Sequence, residues 1–119
     1  MINISNINNI IWKDIKISVL GAGKSGLAAT KLALSLGAKV LISENDDFID
    51  ITTTPNLELE TGGHSNKILN SDIIIISPGI SDKIDIVQKG KELQIPIVSE
   101  IEFSSWFTTS PILAITGSN

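Results

Sequence analysis

A glycine-rich turn between a predicted strand and a predicted helix restricts the folds that are open to this chain. Residues 15–20 form a short, mostly apolar and β-branched run typical of a buried parallel strand, and the turn GAGKSG at 21–26 follows at once. Apolar residues then recur at helical spacing over 25–36, and the next strand is predicted at 39–43. This order predicts a right-handed βαβ unit.

The rest of the chain continues the alternation. An acidic and then threonine-rich loop is predicted at 44–55. The elements predicted after it are a short edge strand at 57–60, a helical turn at 67–70, a buried strand at 72–77, a helix at 82–93, a strand at 95–98 and a helix at 100–107. The pattern predicts an α/β, Rossmann-like, doubly wound fold with a mainly parallel five-stranded sheet and helices on both faces.

Composition excludes several classes of function. With 119 residues, the chain is long enough for one domain with a single core. Its net charge of -4, without a cluster of basic residues, argues against nucleic acid as a partner. No apolar run approaches the length of about 18 residues that spans a bilayer, and no signal-peptide pattern opens the chain, so neither membrane insertion nor secretion is expected. Cysteine is absent, which is compatible with the cytoplasm.

The turn itself predicts an anion site. It matches G-x-G-x-x-G in the strand-to-helix context where that motif has a mechanism, because glycines allow a tight turn and close backbone approach. The helix N-terminus then offers free N–H groups and a positive dipole end to a phosphate. Gly23, Lys24, Ser25 and Gly26 are the candidate binding residues. The alternative is that this turn only packs strand against helix.

A second candidate is Glu44, at the end of the second predicted strand and about twenty residues past the glycines. An acidic side chain there accepts hydrogen bonds from the ribose hydroxyls of NAD, so an NAD-binding dehydrogenase or regulatory module is a serious alternative. Glu44 is equally compatible with a solvated loop acid beside Asp46 and Asp47. These residues alone leave the ligand open.

Motifs further along the chain carry a family resemblance. They are GAGKSGL at 21–27, TGGH at 61–64, IIISPGI at 74–80, SEIEF at 99–103 and AITGSN at 114–119. In this order they resemble the Mur ligases, and within that family the branch that adds D-glutamate. The resemblance runs over nearly the whole chain from residue 15 and favours a ligase over a redox domain or a stand-alone nucleotide-sugar-binding protein.

The resemblance implies a three-domain cytoplasmic enzyme of peptidoglycan synthesis, and so of cell-wall biogenesis, cell shape and cell division. Residues 1–110 would be the N-terminal domain that binds UDP-N-acetylmuramoyl-L-alanine, and 111–119 the start of a truncated ATPase domain. Thr116, Gly117, Ser118 and Asn119 would open its ATP loop. ATP, Mg²⁺ and D-glutamate would be bound only by the full-length enzyme. The fragment is expected to bind its nucleotide sugar weakly, to hold no cofactor or metal, to contain no catalytic residue and to be inactive.

The resemblance also implies roles for individual residues. The loop from Gly23 to Gly26 would face the diphosphate, and Ser77 would lie near the uracil in a turn fixed by Pro78 and Gly79. Where relatives often carry Asp-Thr-Arg after the second strand, this chain has Glu44, Asn45 and Asp46. The resemblance implies that Glu44 and Asn45 belong to the site for the UDP-sugar. Asn45 can still offer amide hydrogen bonds to uracil, but a contact through the arginine is lost.

The remaining conspicuous side chains are predicted to be structural. His64 is the single histidine and has no partner nucleophile or metal-ligand spacing, which favours a loop or packing role. Four of the five aromatic residues are expected to fill the core or interdomain contacts rather than to stack on bases, namely Trp12, Phe103, Trp106 and Phe107.

Overall fold

The computed structural model describes residues 4–107. Its strands are β1 (Lys16–Leu20), β2 (Lys39–Ser43), β3 (Leu57–Glu60), β4 (Ile73–Ile76) and β5 (Ile97–Ser99), and its helices are α1 (Lys24–Ser35), α2 (Asp85–Glu92) and α3 (Glu100–Ser105). Short 3₁₀ helices lie at Ile4–Asn9, Trp12–Asp14 and Asn66–Asn70. Within the described range, no helix is long and apolar enough to cross a membrane.

The strands form one sheet in the order β3-β2-β1-β4-β5, and every pair is parallel. The predicted Rossmann-like fold is confirmed. Register aligns the strand ends, because Leu20 lies opposite both Ser43 and Ile76, Ser43 lies opposite Glu60, and Ile76 lies opposite Ser99. The segments that follow the five strands therefore leave the sheet along one edge, which we call the carboxyl edge.

Helices cover both faces of the sheet. Helices α1 and α3 contact each other on one face, where alternate strand residues such as Ile17 and Val19 build the larger core. Helix α2 and the 3₁₀ helix Asn66–Asn70 cover the other face, where Leu20 and Ile74 belong to a second core. Strand β4 is buried on both faces, as its run of four isoleucines predicts.

The four aromatic residues predicted to be structural meet in one cluster. Phe103, fully buried on α3, packs edge-on against Phe107 at 5.2 Å between ring centroids, Trp106 at 5.6 Å and Trp12 at 6.0 Å. Trp12 lies in a 3₁₀ helix before β1, so the cluster joins the two ends of the described chain across one face of the sheet. Such edge-to-face geometry suits the aromatic quadrupole.

The structure differs from prediction where α2 passes into β5. The helix ends at Glu92 and the strand begins at Ile97, whereas the pattern placed the strand at 95–98. Gln94 has a left-handed φ of 61°, and the Ile95 N–H donates back to Gly90 O at 3.0 Å. The backbone of Ile95 therefore terminates α2 and does not begin the strand. A pattern of apolar residues does not reveal such a backbone hydrogen bond.

We expect Phe103→Ala to destabilise the domain by about 3–5 kcal/mol, because it empties the centre of the aromatic cluster. Urea unfolding followed by circular dichroism measures the loss. Ile101→Ala on the same helix is the matched control, since Ile101 is 76% exposed and its truncation should change stability by less than about 0.5 kcal/mol. Equal losses for the two variants would contradict this account of the core.

Candidate functional site

The three motif glycines have different structural tasks. Gly21 turns the chain out of β1 with a left-handed φ of 96°, which disfavours any side chain. Gly26 packs so closely that a Cβ there would lie 1.8 Å from Gly21 O. Gly23 faces open space, because a Cβ added there would meet no atom within 4 Å. Gly21 and Gly26 are therefore required by the fold, whereas Gly23 leaves room for something outside the chain.

Helix α1 presents its N-terminus at this open position. Gly23 is the N-cap, and the first hydrogen bond of the helix runs from Leu27 N–H to Gly23 O at 2.9 Å. Helical geometry leaves the N–H groups of Lys24, Ser25 and Gly26 without acceptors inside the helix. Lys24 is exposed beside them, and Ser25 is half-buried. This end of α1 can accept an anion.

The site lies at the topological switch point of the sheet. From β1 the chain first crosses towards β2 and β3, and later returns to place β4 and β5 on the opposite side of β1. Crevices at such points bind ligands in doubly wound folds. A cleft of about 450 Å³ opens beside the loop, and Ser25, Ser77, Pro78, Ser99 and Glu100 are among the residues that line it. Several predicted binding residues therefore share one cleft.

Two predicted site residues hold the glycine turn directly. The Ser77 hydroxyl donates a hydrogen bond to Gly21 O at 3.2 Å, and the Ala22 N–H donates to the Glu44 carboxylate at 2.9 Å. Gly21 N–H also donates to Ser43 O at 2.8 Å. The turn is thus fixed by residues from both strands that flank β1.

Glu44 uses both carboxylate oxygens. Its second oxygen accepts the Asp46 N–H at 3.1 Å. The hydrogen bond from Ala22, followed by that from Asp46, lowers the pKa of Glu44 below its usual value, so the side chain is ionised at neutral pH. The neighbouring Asn45 is exposed and available to solvent or ligand.

A second polar network lies under the ends of β2 and β3. The Ser43 hydroxyl donates to Glu60 Oε2 at 2.6 Å and lies 2.7 Å from His64 Nδ1, while Ser65 donates to Glu60 through both its N–H and its hydroxyl. Because a carboxylate only accepts, Ser43 gives its proton to Glu60, and His64 Nδ1 must donate to Ser43. Neutral His64 therefore carries a lone pair on Nε2, a buried atom without a partner among the described residues.

The environment shifts two pKa values within this network. Burial lowers the pKa of His64 below its usual value, despite the raising effect of the Glu60 and Glu44 charges. Burial raises the pKa of Glu60, but the hydrogen bonds from Ser43 and Ser65 outweigh it and the net shift is downward. The network thus favours neutral histidine beside an ionised glutamate.

The structure places the predicted residues at one edge but does not describe all of them. Those near the carboxyl edge are Gly23, Lys24, Ser25, Gly26, Glu44, Asn45, Ser77, Pro78 and Gly79. The four predicted residues of the ATP loop and the boundary at 110/111 lie outside the described residues. Within residues 4–107, no group of three potential ligands among His, Cys, Asp and Glu is arranged to hold a metal ion.

The hydrogen bonds of Ser43 and Glu60 were not predicted from the sequence. They end neighbouring strands, and the register places them side by side. Their position as the last polar residues of two consecutive strands was the available signal, since parallel strand ends meet at one edge of a sheet. His64 was expected in a loop or packing role, and it lies in the loop after β3 with its ring in this network.

Comparison with known proteins gives one family. Residues 16–86 match the family described as the MurD N-terminal domain. The chain is 47% identical over 111 residues to UDP-N-acetylmuramoylalanine–D-glutamate ligase of Elusimicrobium minutum, covering 91% of this chain and 25% of that protein. It is 39% identical over 108 residues to the protein of that name in Chlorobium luteolum, covering 87% of this chain and 24% of that protein. The chain therefore spans about a quarter of the length of these relatives.

Solved structures show a more distant likeness. Shikimate dehydrogenase of Aquifex aeolicus is 18% identical with a TM-score of 0.48, and the match covers 77% of this chain and 44% of that chain. A likeness at that level identifies neither a cofactor nor a substrate.

The His64 network predicts a loss of stability on mild acidification. The pKa of His64 is lower in the folded chain than its usual 6.5. As the pH falls through 6.5, His64 is therefore protonated more readily in the unfolded chain than in the folded chain, which destabilises the fold. We expect the free energy of unfolding to fall more steeply between pH 7.5 and about 5.5 in the wild type than in His64→Gln, since no other side chain ordinarily titrates there. Urea titrations at several pH values measure both slopes. A wild type that gains stability relative to the variant on acidification would contradict the assignment.

Proposed function

The chain belongs to the MurD N-terminal domain family, and from that premise we propose that it is the substrate-holding domain of a UDP-N-acetylmuramoylalanine–D-glutamate ligase. Its ligand would be UDP-N-acetylmuramoyl-L-alanine, with the diphosphate at the N-terminus of α1. The full-length ligase would be a cytoplasmic enzyme of peptidoglycan synthesis. This assignment rests on relatives of which the chain spans about a quarter.

The observation that carries the proposal is the open backbone at Gly23. Its neighbours Gly21 and Gly26 are explained by the turn and by helix packing, but nothing within the described chain fills the space beside Gly23. A helix N-terminus next to a side-chain-free residue suits a group that needs several N–H donors and close approach, as a diphosphate does. Lys24 and Ser25 would add a charge and a hydroxyl.

The nucleotide would lie across the segments after β2 and β4. We assign Asn45 and Ser77 to its neighbourhood, with Glu44 between the loop and the nucleotide and with Pro78 and Gly79 shaping the turn. The chain contains no arginine, so the cation that relatives often carry after the second strand has no substitute of the same type. Affinity for the nucleotide sugar is therefore expected to be weak in this domain alone.

The proposed contribution of the domain is positional. In the full ligase, ATP would phosphorylate the carboxylate of the nucleotide-sugar substrate, and the amine of D-glutamate would displace phosphate to form the amide. ATP, Mg²⁺ and D-glutamate would be bound by the rest of the enzyme, starting with Thr116 to Asn119. Holding one reactant in place can supply up to about 7–11 kcal/mol of a barrier in favourable cases. No described residue is assigned a proton transfer, so the 119-residue chain is expected to be inactive alone.

A calorimetric titration tests the choice of ligand. We expect UDP and UDP-N-acetylmuramoyl-L-alanine to bind more tightly than NADH, with dissociation constants that reach about 1 mM, or about -4 kcal/mol. NADH is the informative alternative ligand, because the glycine motif followed by Glu44 at the end of β2 is the pattern that favours a dinucleotide. Tighter binding of NADH would replace the ligase assignment by an NAD-binding one.

Substitution of Gly23 tests the position of the diphosphate. We expect Gly23→Val to abolish UDP binding, because the side chain would occupy the space left for the phosphates. The fold should survive, since the φ of -73° suits any residue and a Cβ there meets no atom within 4 Å. Ala28→Val is the matched control, because Ala28 is exposed further along α1. Undiminished UDP binding by Gly23→Val would move the diphosphate away from this loop.

A further inference from the structure

One peptide group in the glycine turn is held from both sides. The carbonyl of Gly21 and the N–H of Ala22 belong to the same planar peptide unit. The Ser77 hydroxyl donates to that carbonyl at 3.2 Å, and the Glu44 carboxylate accepts from that N–H at 2.9 Å. We call these two side chains the peptide clamp. They come from the ends of β4 and β2, the two strands that flank β1.

The clamped peptide lies where the backbone has most freedom. Glycines stand at positions 21 and 23, and glycine permits more backbone conformations than any other residue. The peptide lies one residue before Gly23, the N-cap of α1, so its orientation affects the path by which the chain enters the helix. Fixing the peptide therefore fixes where the open backbone at Gly23 lies relative to the first N–H groups of α1.

We propose that Glu44 and Ser77 are positioning residues, which act on a bound diphosphate through the Gly21–Ala22 peptide rather than by contact with the nucleotide. This inference rests on the proposed function, since it concerns the same anion site. It assigns a different role to two residues that the family resemblance places against the nucleotide.

Because Glu44 is negatively charged, the inference can be tested by whether its substitution raises or lowers the affinity for an anion. A carboxylate near a bound diphosphate repels it, so removing the charge should strengthen binding if electrostatic repulsion alone operates. Removing the clamp should instead weaken binding, because the loop must be ordered before its N–H groups can be used. Inorganic pyrophosphate separates these effects from base and ribose recognition, because it has neither group.

The experiment measures pyrophosphate affinity of the 119-residue chain by calorimetry. We expect Glu44→Ala and Ser77→Ala each to weaken binding by about three- to tenfold, the range for loss of one hydrogen bond. The double variant should lose less than the product of the single losses, because either substitution already releases the same peptide. Glu44→Gln keeps an acceptor oxygen and should retain more affinity than Glu44→Ala.

Asp47→Ala is the matched control. Asp47 is an exposed acid three residues beyond Glu44, and its removal changes the charge equally. We expect Asp47→Ala to leave pyrophosphate affinity unchanged or slightly increased. Circular dichroism melts establish that each variant is folded. The Ala22 amide proton of the ligand-free wild type gives a measurement that needs no variant, and its chemical shift should follow the titration of a carboxyl group in the acid range.

The outcomes separate this inference from the proposed function. Unchanged or tighter pyrophosphate binding by Glu44→Ala, or an Ala22 amide insensitive to carboxyl titration, overturns the clamp while leaving UDP binding to be judged by its own titration. A wild type that prefers NADH to UDP, but whose clamp variants lose pyrophosphate affinity, overturns the ligase assignment alone. A folded wild type that binds no pyrophosphate overturns the clamp, because there is then no anion for it to position.

Discussion

The contact on which this domain most depends is that between the first turn of α1 and the carbonyl of Gly21. A Cβ on Gly26 would lie 1.8 Å from that oxygen, so only glycine allows the helix to begin this close to the end of β1. Thr30 Oγ1 donates to Gly26 O at 2.8 Å and secures the following turn. The same approach that packs the helix on the sheet places its N-terminal amides at the carboxyl edge. Helix packing and the proposed anion site therefore share one geometric cause.

Much of the fold could be predicted from the sequence because its signals are local. The β-branched runs, the glycine turn and the helical spacing over α1 each lie within one element, and the rule for right-handed crossovers then restricts how the elements connect. Predictions failed where a single residue takes an unusual conformation, as Gln94 does after α2. The pairing of Trp12 with Phe103 was also out of reach, since it depends on contacts between distant parts of the chain.

The location of the candidate site could be predicted from the sequence, but the contacts of its side chains could not. The glycine motif and the strand ends indicate the carboxyl edge, and the residues proposed there do lie along it. The partners of Glu44 and Ser77 depend on the register of β2 and β4 against β1, which the sequence does not state. Glu44 was interpreted as a ligand contact because an acid after the second strand commonly binds ribose, and Ser77 because the family resemblance implies a serine near the uracil. Their hydrogen bonds show that both side chains bind the Gly21–Ala22 peptide of the loop itself.

Charge is divided along the carboxyl edge, and this division bears on how an anionic ligand would be oriented. The N-terminus of α1, which begins at Lys24, follows β1, whereas Glu44 follows β2 and Glu60 ends β3. The pKa values of both glutamates are lowered, so both are negative at neutral pH. For a ligand with an anionic group and a neutral polar end, the favoured orientation places the anionic group at the N-terminus of α1 and the neutral end near β2. A second phosphate at that end would meet the Glu44 carboxylate, with no arginine in the chain to receive it. The arrangement thus disfavours a 2′-phosphorylated dinucleotide, and it is compatible with the proposed UDP-sugar, whose uridine end carries no charge of its own.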